Sequence, residues 1–174
     1  MFFCELETER LFLRNISYAD REFILRQFSD EGVNAYLFDA EPPTSLPEAD
    51  AIINFYVQPE PRAQHRWILH RKGDDSKLGT CGFHCWKRDQ RWADIGYDLQ
   101  PQYWGQGYMT EALRAVLSFA SREMGLSRID AHIYAGNTKS IALVRKFNFA
   151  FSGETEHCLF RGKAHLHHIY TLIY

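Results

Sequence analysis

From residue 9 to residue 15 polar and apolar side chains alternate, with Leu11 and Leu13 on one face, which predicts a half-buried strand. Ser17 or Asp20 can cap a helix over 19–29, whose apolar stripe is Phe23, Ile24 and Phe28. The run Glu41-Pro42-Pro43-Thr44-Ser45-Leu46-Pro47 reads as a rigid loop. Pro47 suits the first turn of a helix that continues toward Val57 and stops before Pro59 and Pro61. Three strands come next at short spacing, over 65–70, 78–86 and 91–99, and Gly73-Asp74-Asp75 turns the first pair, so an antiparallel meander is expected. Residues 110–124 carry the clearest helical pattern. Leu113, Val116, Leu117, Ala120 and Met124 recur at intervals of three and four, and Gly125 ends the run. A strand over 128–134, a helix over 138–147 and strands over 149–157 and 165–173 complete the series.

This order mixes an antiparallel sheet with one central β-α-β crossover. It predicts a single mixed, mostly antiparallel sheet of about six or seven strands flanked by helices, in the α/β (α+β) class. Strands and helices do not alternate throughout, which excludes a doubly wound fold. The chain has 174 residues. With about 150 residues to a domain, a single domain over 1–174 is expected.

Composition adjusts this picture only at the margins. Apolar types make up 45%, charged types 24% and aromatics 15%, an ordinary globular balance that excludes disorder, collagen and a coiled coil. No run reaches the ~18 apolar residues of a membrane span, so no membrane partner is expected. Met1-Phe2-Phe3-Cys4-Glu5 lacks the basic start and apolar stretch of a signal peptide, and a cytoplasmic location is expected. Twenty basic residues face 22 acidic ones, with no block of like charge, so nucleic acid is not an expected partner. Cys81 and Cys85 are expected on one face of a strand and His84 on the other. That parity opposes joint ligation, and no second Cys pair follows at zinc spacing. Reduced thiols and no metal are expected.

The chemistry points to one segment, residues 94–112. A strand ends, a proline turn follows, Gly105 and Gly107 come next, and a long helix begins. Glycine lets the backbone take positive φ and approach a ligand. The helix N-terminus adds unpaired N–H groups and partial positive charge. Together they suit a phosphate or pyrophosphate. A tight strand–helix turn alone would also use this spacing. The Gly-x-x-x-x-Gly-Lys pattern is absent, and Thr110 stands where a dinucleotide motif wants its third glycine.

Gln102 through Gly107 resembles the Gln/Arg-x-x-Gly-x-Gly/Ala motif of the GNAT superfamily of N-acetyltransferases. The surroundings resemble its ribosomal-protein N-acetyltransferase branch. Thr8-Glu9-Arg10-Leu11-Phe12-Leu13-Arg14 is similar to the opening T-E-R-L-x-L-R, and Ala93-Asp94-Ile95-Gly96-Tyr97 to the strand A-E-I-G-Y. The segments 103–112 and 137–149 are similar to Y-W-G-K-G-Y-A-T-E-A and N-x-x-S-x-x-V-L-E-K-x-G-F. The matches hold register over 7–153.

The resemblance implies that superfamily's fold, with its central β-α-β unit holding acetyl-CoA as co-substrate. The implied reaction moves the acetyl group to a primary amine, on a small molecule or a protein N-terminus, by direct attack in a ternary complex. The pyrophosphate would lie on the backbone of Trp104, Gly105, Gln106, Gly107, Tyr108 and Met109. The pantetheine arm would pair with Tyr97, Asp98 and Leu99, where a backbone N–H would polarise the thioester carbonyl. Asn137 matches an Asn that commonly bonds this arm, and it also suits a helix N-cap. Val144 stands at the usual Tyr position, which leaves Ser140 as the candidate donor to the departing sulfur. Asp94 matches the strand carboxylate that often serves as base, usually a Glu, and Asp98 shares its parity. A further Glu seen in ribosomal-type relatives would fall near Leu159. Among the C-terminal histidines, His165 and His167 share one strand face and His168 takes the other. Tyr36, Phe38, Phe55, Tyr56, Trp86 and Trp92 are candidates for the acceptor wall, and core packing would equally account for them. Monomer and homodimer both occur in the superfamily. An acetyl-CoA-binding sensor or interaction module of the same fold, without turnover, is the alternative.

Overall fold

The computed structural model describes residues 2–38 and 40–174; Met1 and Asp39 lie outside them. Along the chain run β1 (Leu6–Glu7), β2 (Leu11–Asn15), α1 (Arg21–Ser29), α2 (Glu31–Asn34), α3 (Leu46–Tyr56), β3 (His65–Arg71), β4 (Lys77–Lys87) and β5 (Trp92–Leu99). Then come α4 (Tyr108–Arg122), β6 (Arg128–Tyr134), α5 (Thr138–Arg145), β7 (Ala150–Phe160) and β8 (Lys163–Ile173). The eight strands form one sheet in the order β1-β2-β3-β4-β5-β6-β8-β7. β5 and β6 pair in parallel, joined through α4, and the remaining pairs are antiparallel. The expected mixed sheet with one central crossover is present.

α4 explains the main core. Leu113, Val116, Leu117 and Ala120 face the sheet, where Leu11, Leu13, Trp67, Phe83 and Ile95 await them. Burying one such side chain contributes about 1.5–3 kcal/mol. Val144 of α5 joins the same layer. The opposite face is smaller. There Phe23 and Ile24 of α1 and Ala49 and Ile53 of α3 pack over Ile68. Two-sided cover makes β3 buried from His65 to His70.

Three details differ from the sequence expectation. The sheet has eight strands because the two-residue β1 pairs with β2. The short α2 adds a turn after α1, capped by Asp30 onto the Val33 amide. Cys81 and Cys85 do not share an environment. Cys85 has φ of 53° at a bulge between His84 and Lys87, which moves Trp86 rather than Cys85 into the core beside Phe83. A bulge inserts one residue and so reverses the facing of the residues beyond it. Cys85 is exposed, while Cys81 is buried and its thiol is pushed up to about 12 by that burial.

Candidate active site

The parallel pairing of β5 with β6 lasts only from Trp92–Arg128 to Asp94–Asp130. Beyond Asp94, β5 continues to Leu99 against β4 alone. The edge of residues 95–99 that faces β6 therefore carries no strand. A groove of about 660 Å³ opens there, lined by Tyr97, Asp98 and Leu99 on one side and Asn137, Ser140 and Leu143 on the other. Val33 and Tyr36 border it from the segment around α2, and Trp104, Gly105, Gly107, Tyr108 and Met109 lie at its end.

Gly105 and Gly107 hold φ of 72° and 81°, the left-handed region that favours glycine. Gly107 is the N-cap of α4 and supplies no side chain to it. Among the described residues, the amides of 105–110 donate to no protein acceptor; the first amide that does so is Glu111, onto the Gly107 carbonyl. Six N–H groups without protein acceptors thus sit at the positive end of a 15-residue helix, five of them on residues that line the groove. The loop is braced from behind. Trp104 Nε1 donates to the Leu99 carbonyl at 2.7 Å, and Lys139 Nζ lies 4.5 Å from the Trp104 ring centroid. Gln106 Nε2 donates to the Gln102 carbonyl, and Gln102 Nε2 to Gln100, so neither glutamine lines the groove.

Asn137 caps α5, its Oδ1 accepting from the Ser140 amide at 3.1 Å. The Ser140 hydroxyl lies 2.7 Å from the Tyr97 hydroxyl. Burial pushes the Tyr97 phenol well above the ordinary tyrosine value, against the pull of Ser140. Val144 is buried in the core.

Asp94 and Asp98 point to the other face of the sheet and meet different fates. Asp98 is buried, with Arg66 Nη1 at 3.0 Å and with Thr80 and Gln27 donating to it. Burial pushes its pKa up, against the pull of Arg66, Thr80 and Gln27. Gly96 makes room for this network, since a Cβ there would stand 3.0 Å from His84 Nε2 and 3.2 Å from Arg66 Nη2. Asp94 is part-exposed and outside the groove lining. It lies 3.3 Å from His132 Nε2, and His132 Nδ1 lies 2.7 Å from Glu156. The bond to Asp94, assisted by Glu156 and opposed by partial burial, raises His132 to about 9. Three strands, β5, β6 and β7, thus bring a cation between two carboxylates. The sequence signals neither His132 nor Glu156, because each pairing depends on strand register. Leu159, near which a Glu was expected, is 77% exposed.

The aromatic wall is redistributed. Tyr56 and Trp86 are buried in the two cores, Phe55 is exposed, and Trp92 Nε1 donates to Asp130. Of that set only Tyr36 lines the groove, and Phe38 joins it in a cluster around Tyr134. There Phe38 stacks on His165 at 3.7 Å and meets Tyr134 at 4.8 Å, with Tyr36 6.3 Å from Tyr134. His167 also borders Tyr134, while His168 on the other face contacts Phe151. Among the described residues no three His, Cys, Asp or Glu side chains are grouped to hold a metal ion.

Comparison with known proteins gives the family and the fold. The acetyltransferase (GNAT) domain family matches residues 10–150. The chain is 31% identical over 170 residues to YoaA of Bacillus subtilis, named as an uncharacterized N-acetyltransferase, covering 97% of this chain and 96% of that one. It is 32% identical over 149 residues to the N-acetyltransferase p20 of Bacillus licheniformis, also named as uncharacterized, covering 85% and 83%. In fold it resembles RimL, a ribosomal-protein alpha-N-acetyltransferase solved with coenzyme A, at a TM-score of 0.87 and 19% identity over 98% of both chains. A Vibrio cholerae spermidine N-acetyltransferase, solved with CoA and spermine, gives a TM-score of 0.83 at 19% identity, covering 94% of this chain and 95% of that one.

Proposed function

This chain belongs to the GNAT acetyltransferase family and transfers acetyl groups to amines, and we propose that the groove between β5 and α5 holds its donor, acetyl-CoA. The observation that carries this reading is the set of amides at 105–110, without protein acceptors and at the head of α4. A pyrophosphate supplies the acceptors they lack. Trp104 to Met109 cradle it, with Gln102 and Gln106 holding the loop's shape. The free edge of Tyr97, Asp98 and Leu99 pairs with the pantetheine amides, and a backbone N–H there polarises the thioester carbonyl. Asn137 Nδ2, which donates to no protein acceptor among the described residues, adds a bond to the same arm. Ser140 faces the sulfur.

The amine enters from the opposite face, over Tyr36, Phe38 and Tyr134. This rim suits an amine carried on an apolar body, whether a small molecule or a protein N-terminus. Most alkylamines are protonated at neutral pH, so a base must take a proton, directly or through water. Asp94 is that base, and His132 and Glu156 fix its orientation. Burial raises the Cys81 thiol, and burial together with Asp94 raises that of Cys85, which disfavours the thiolate a covalent acetyl-enzyme needs, so attack on the thioester is direct. One domain, residues 1–174, carries both halves of the reaction.

Calorimetric titration with acetyl-CoA, without an acceptor, tests the reading. Saturable one-to-one binding in the micromolar range is expected. A folded protein that shows no heat of binding would remove the groove as the donor site.

A further inference from the structure

We propose that the Tyr97 phenol is a positioning residue that turns the Ser140 hydroxyl proton into the groove, where it donates to the sulfur of coenzyme A as the thiolate leaves. The inference rests on acetyl-CoA lying in the groove between β5 and α5.

Tyr97 stands on the strand edge that faces the groove, and Ser140 stands on the helix across it. Their oxygens are 2.7 Å apart. Each hydroxyl carries one proton and can both donate and accept. A serine inside a helix ordinarily turns its proton back onto a carbonyl one turn earlier. Among the described residues Ser140 has no such bond; its hydroxyl meets Tyr97 instead. The Tyr97 hydroxyl has two acceptors within reach, Ser140 Oγ at 2.7 Å and the Ser140 carbonyl at 3.5 Å. The shorter contact wins, because hydrogen bonds weaken steeply toward 3.5 Å. Once the phenol donates to Oγ, the serine proton is free to point elsewhere, and the groove is the open side.

Burial keeps this arrangement in one state. It pushes the phenol well above the ordinary tyrosine value, so Tyr97 stays protonated and remains a donor at every physiological pH. The same shift decides what the pair does chemically. An alkyl thiol ionises near 8.5 and an unperturbed phenol near 10, so full proton transfer to the thiolate is unfavourable by at least about thirtyfold. The pair therefore donates hydrogen bonds and transfers no proton. In the reaction the amine lone pair forms the new C–N bond, and the C–S bond breaks with its electron pair on sulfur. The amine's proton goes to Asp94 or water. The sulfur holds the Ser140 hydrogen bond and takes its proton from solvent after release. Val144, one turn beyond Ser140, is buried and apolar, so α5 offers no other hydroxyl at that height.

The test reads the bound thiol rather than turnover. Affinities for CoA and for desulfo-CoA, which lacks the sulfur, are measured from pH 6.5 to 9.5 in the wild type and in Tyr97→Phe, Ser140→Ala and Ser140→Thr. In the wild type, CoA should gain about tenfold over desulfo-CoA as the thiol ionises, a one-unit lowering of its pKa. Ser140→Ala and Tyr97→Phe should lose most of that gain and keep their desulfo-CoA affinity, which also shows that they fold. Ser140→Thr, which retains a hydroxyl, should restore it. Parallel CoA and desulfo-CoA curves in the wild type, or a full gain in Tyr97→Phe, would overturn the proposal. If the wild type binds neither compound, the donor groove itself is wrong and this inference falls with it.

Discussion

The Arg10 guanidinium donates to the Glu111 carboxylate at 2.6 Å, across 101 positions of sequence. The Arg10 amide and the Thr8 hydroxyl donate to the other oxygen of the same group, at 2.7 and 2.6 Å. Arg10 also reaches the Gln106 carbonyl at 3.1 Å. The first strands of the sheet thus grip the first turn of α4 and the loop before it. Partial burial opposes ionisation of Glu111, but the bonds from Thr8 and Arg10 outweigh it and hold the carboxyl below the usual glutamate range. Because that charge is turned toward β1 and β2, the amide end of the helix stays uncompensated and available to an anion.

Glu111→Ala leaves three donors without their acceptor. The fold should lose about 1–3 kcal/mol. The acetyl-CoA dissociation constant should rise about tenfold as the loop loosens, or 1.4 kcal/mol. Denaturant unfolding and calorimetry read the two effects separately. An unchanged dissociation constant would show that the grip matters to stability alone.

Gly107 sits at φ of 81°, and a Cβ there would lie 3.4 Å from Arg10 Nη2. A non-glycine residue at this φ costs about 1–2 kcal/mol. Gly107→Glu also places an anion where the phosphates are to lie, so binding of acetyl-CoA should vanish from the calorimeter. Wild-type affinity in this variant would mean that the loop is only a turn.

Asp94→Asn preserves shape and removes the charge. Turnover with an accepted amine should fall by about 10²–10⁴-fold, the usual worth of a general base. Acetyl-CoA affinity should change less than about twofold, since Asp94 lies outside the donor groove. Release of CoA thiol reports the rate, and full activity would dismiss Asp94 as the base.

Asp98 and Arg66 form a buried ion pair at 3.0 Å. Removing one partner of such a pair costs about 3–5 kcal/mol, because the other is left charged and dry. Asp98→Ala should therefore be far more damaging than the surface change Glu22→Ala, whose pair with Arg26 is exposed. Equal denaturation midpoints for the two variants would contradict this.

His65 is buried against Phe3 and pushed down to about 2, by burial first and by Arg62 second. A depressed folded value stabilises the protein above the unfolded value of 6.5 and loses that contribution as pH falls toward 2. Lowering the pH to 5 should cost about 2 kcal/mol from this group. Unfolding curves at pH 7 and 5 for the wild type and His65→Gln isolate the effect. Equal slopes in the two proteins would refute it.

The sheet and its helices were legible where the pattern was long. Leu113, Val116, Leu117 and Ala120 announce α4 because one helix face must be apolar along its whole length. The two residues of β1 and the four of α2 are too short to show any period. The loop glycines were visible because positive φ restricts residue type. The Asp94–His132–Glu156 row was not, since it depends on the register of three strands that no local pattern encodes. Tyr97 and Ser140 each stood out singly, but their meeting across 43 positions is a matter of where β5 and α5 come to rest. Trp86 looked like a ligand wall and is core, because the Cys85 bulge turns it inward.

The ladder between β5 and β6 ends after three pairs, and this divides the sheet into two leaves, β1–β5 and β6–β8–β7, stitched along one short seam. A donor lying in the gap as proposed would be bonded by both leaves at once, a binding thread as well as a reagent. The cohesion of the sheet would then rise with the logarithm of donor concentration, once that concentration exceeds the dissociation constant. Release of CoA would return the two leaves to their three-pair seam, and each new acetyl-CoA would lengthen it again.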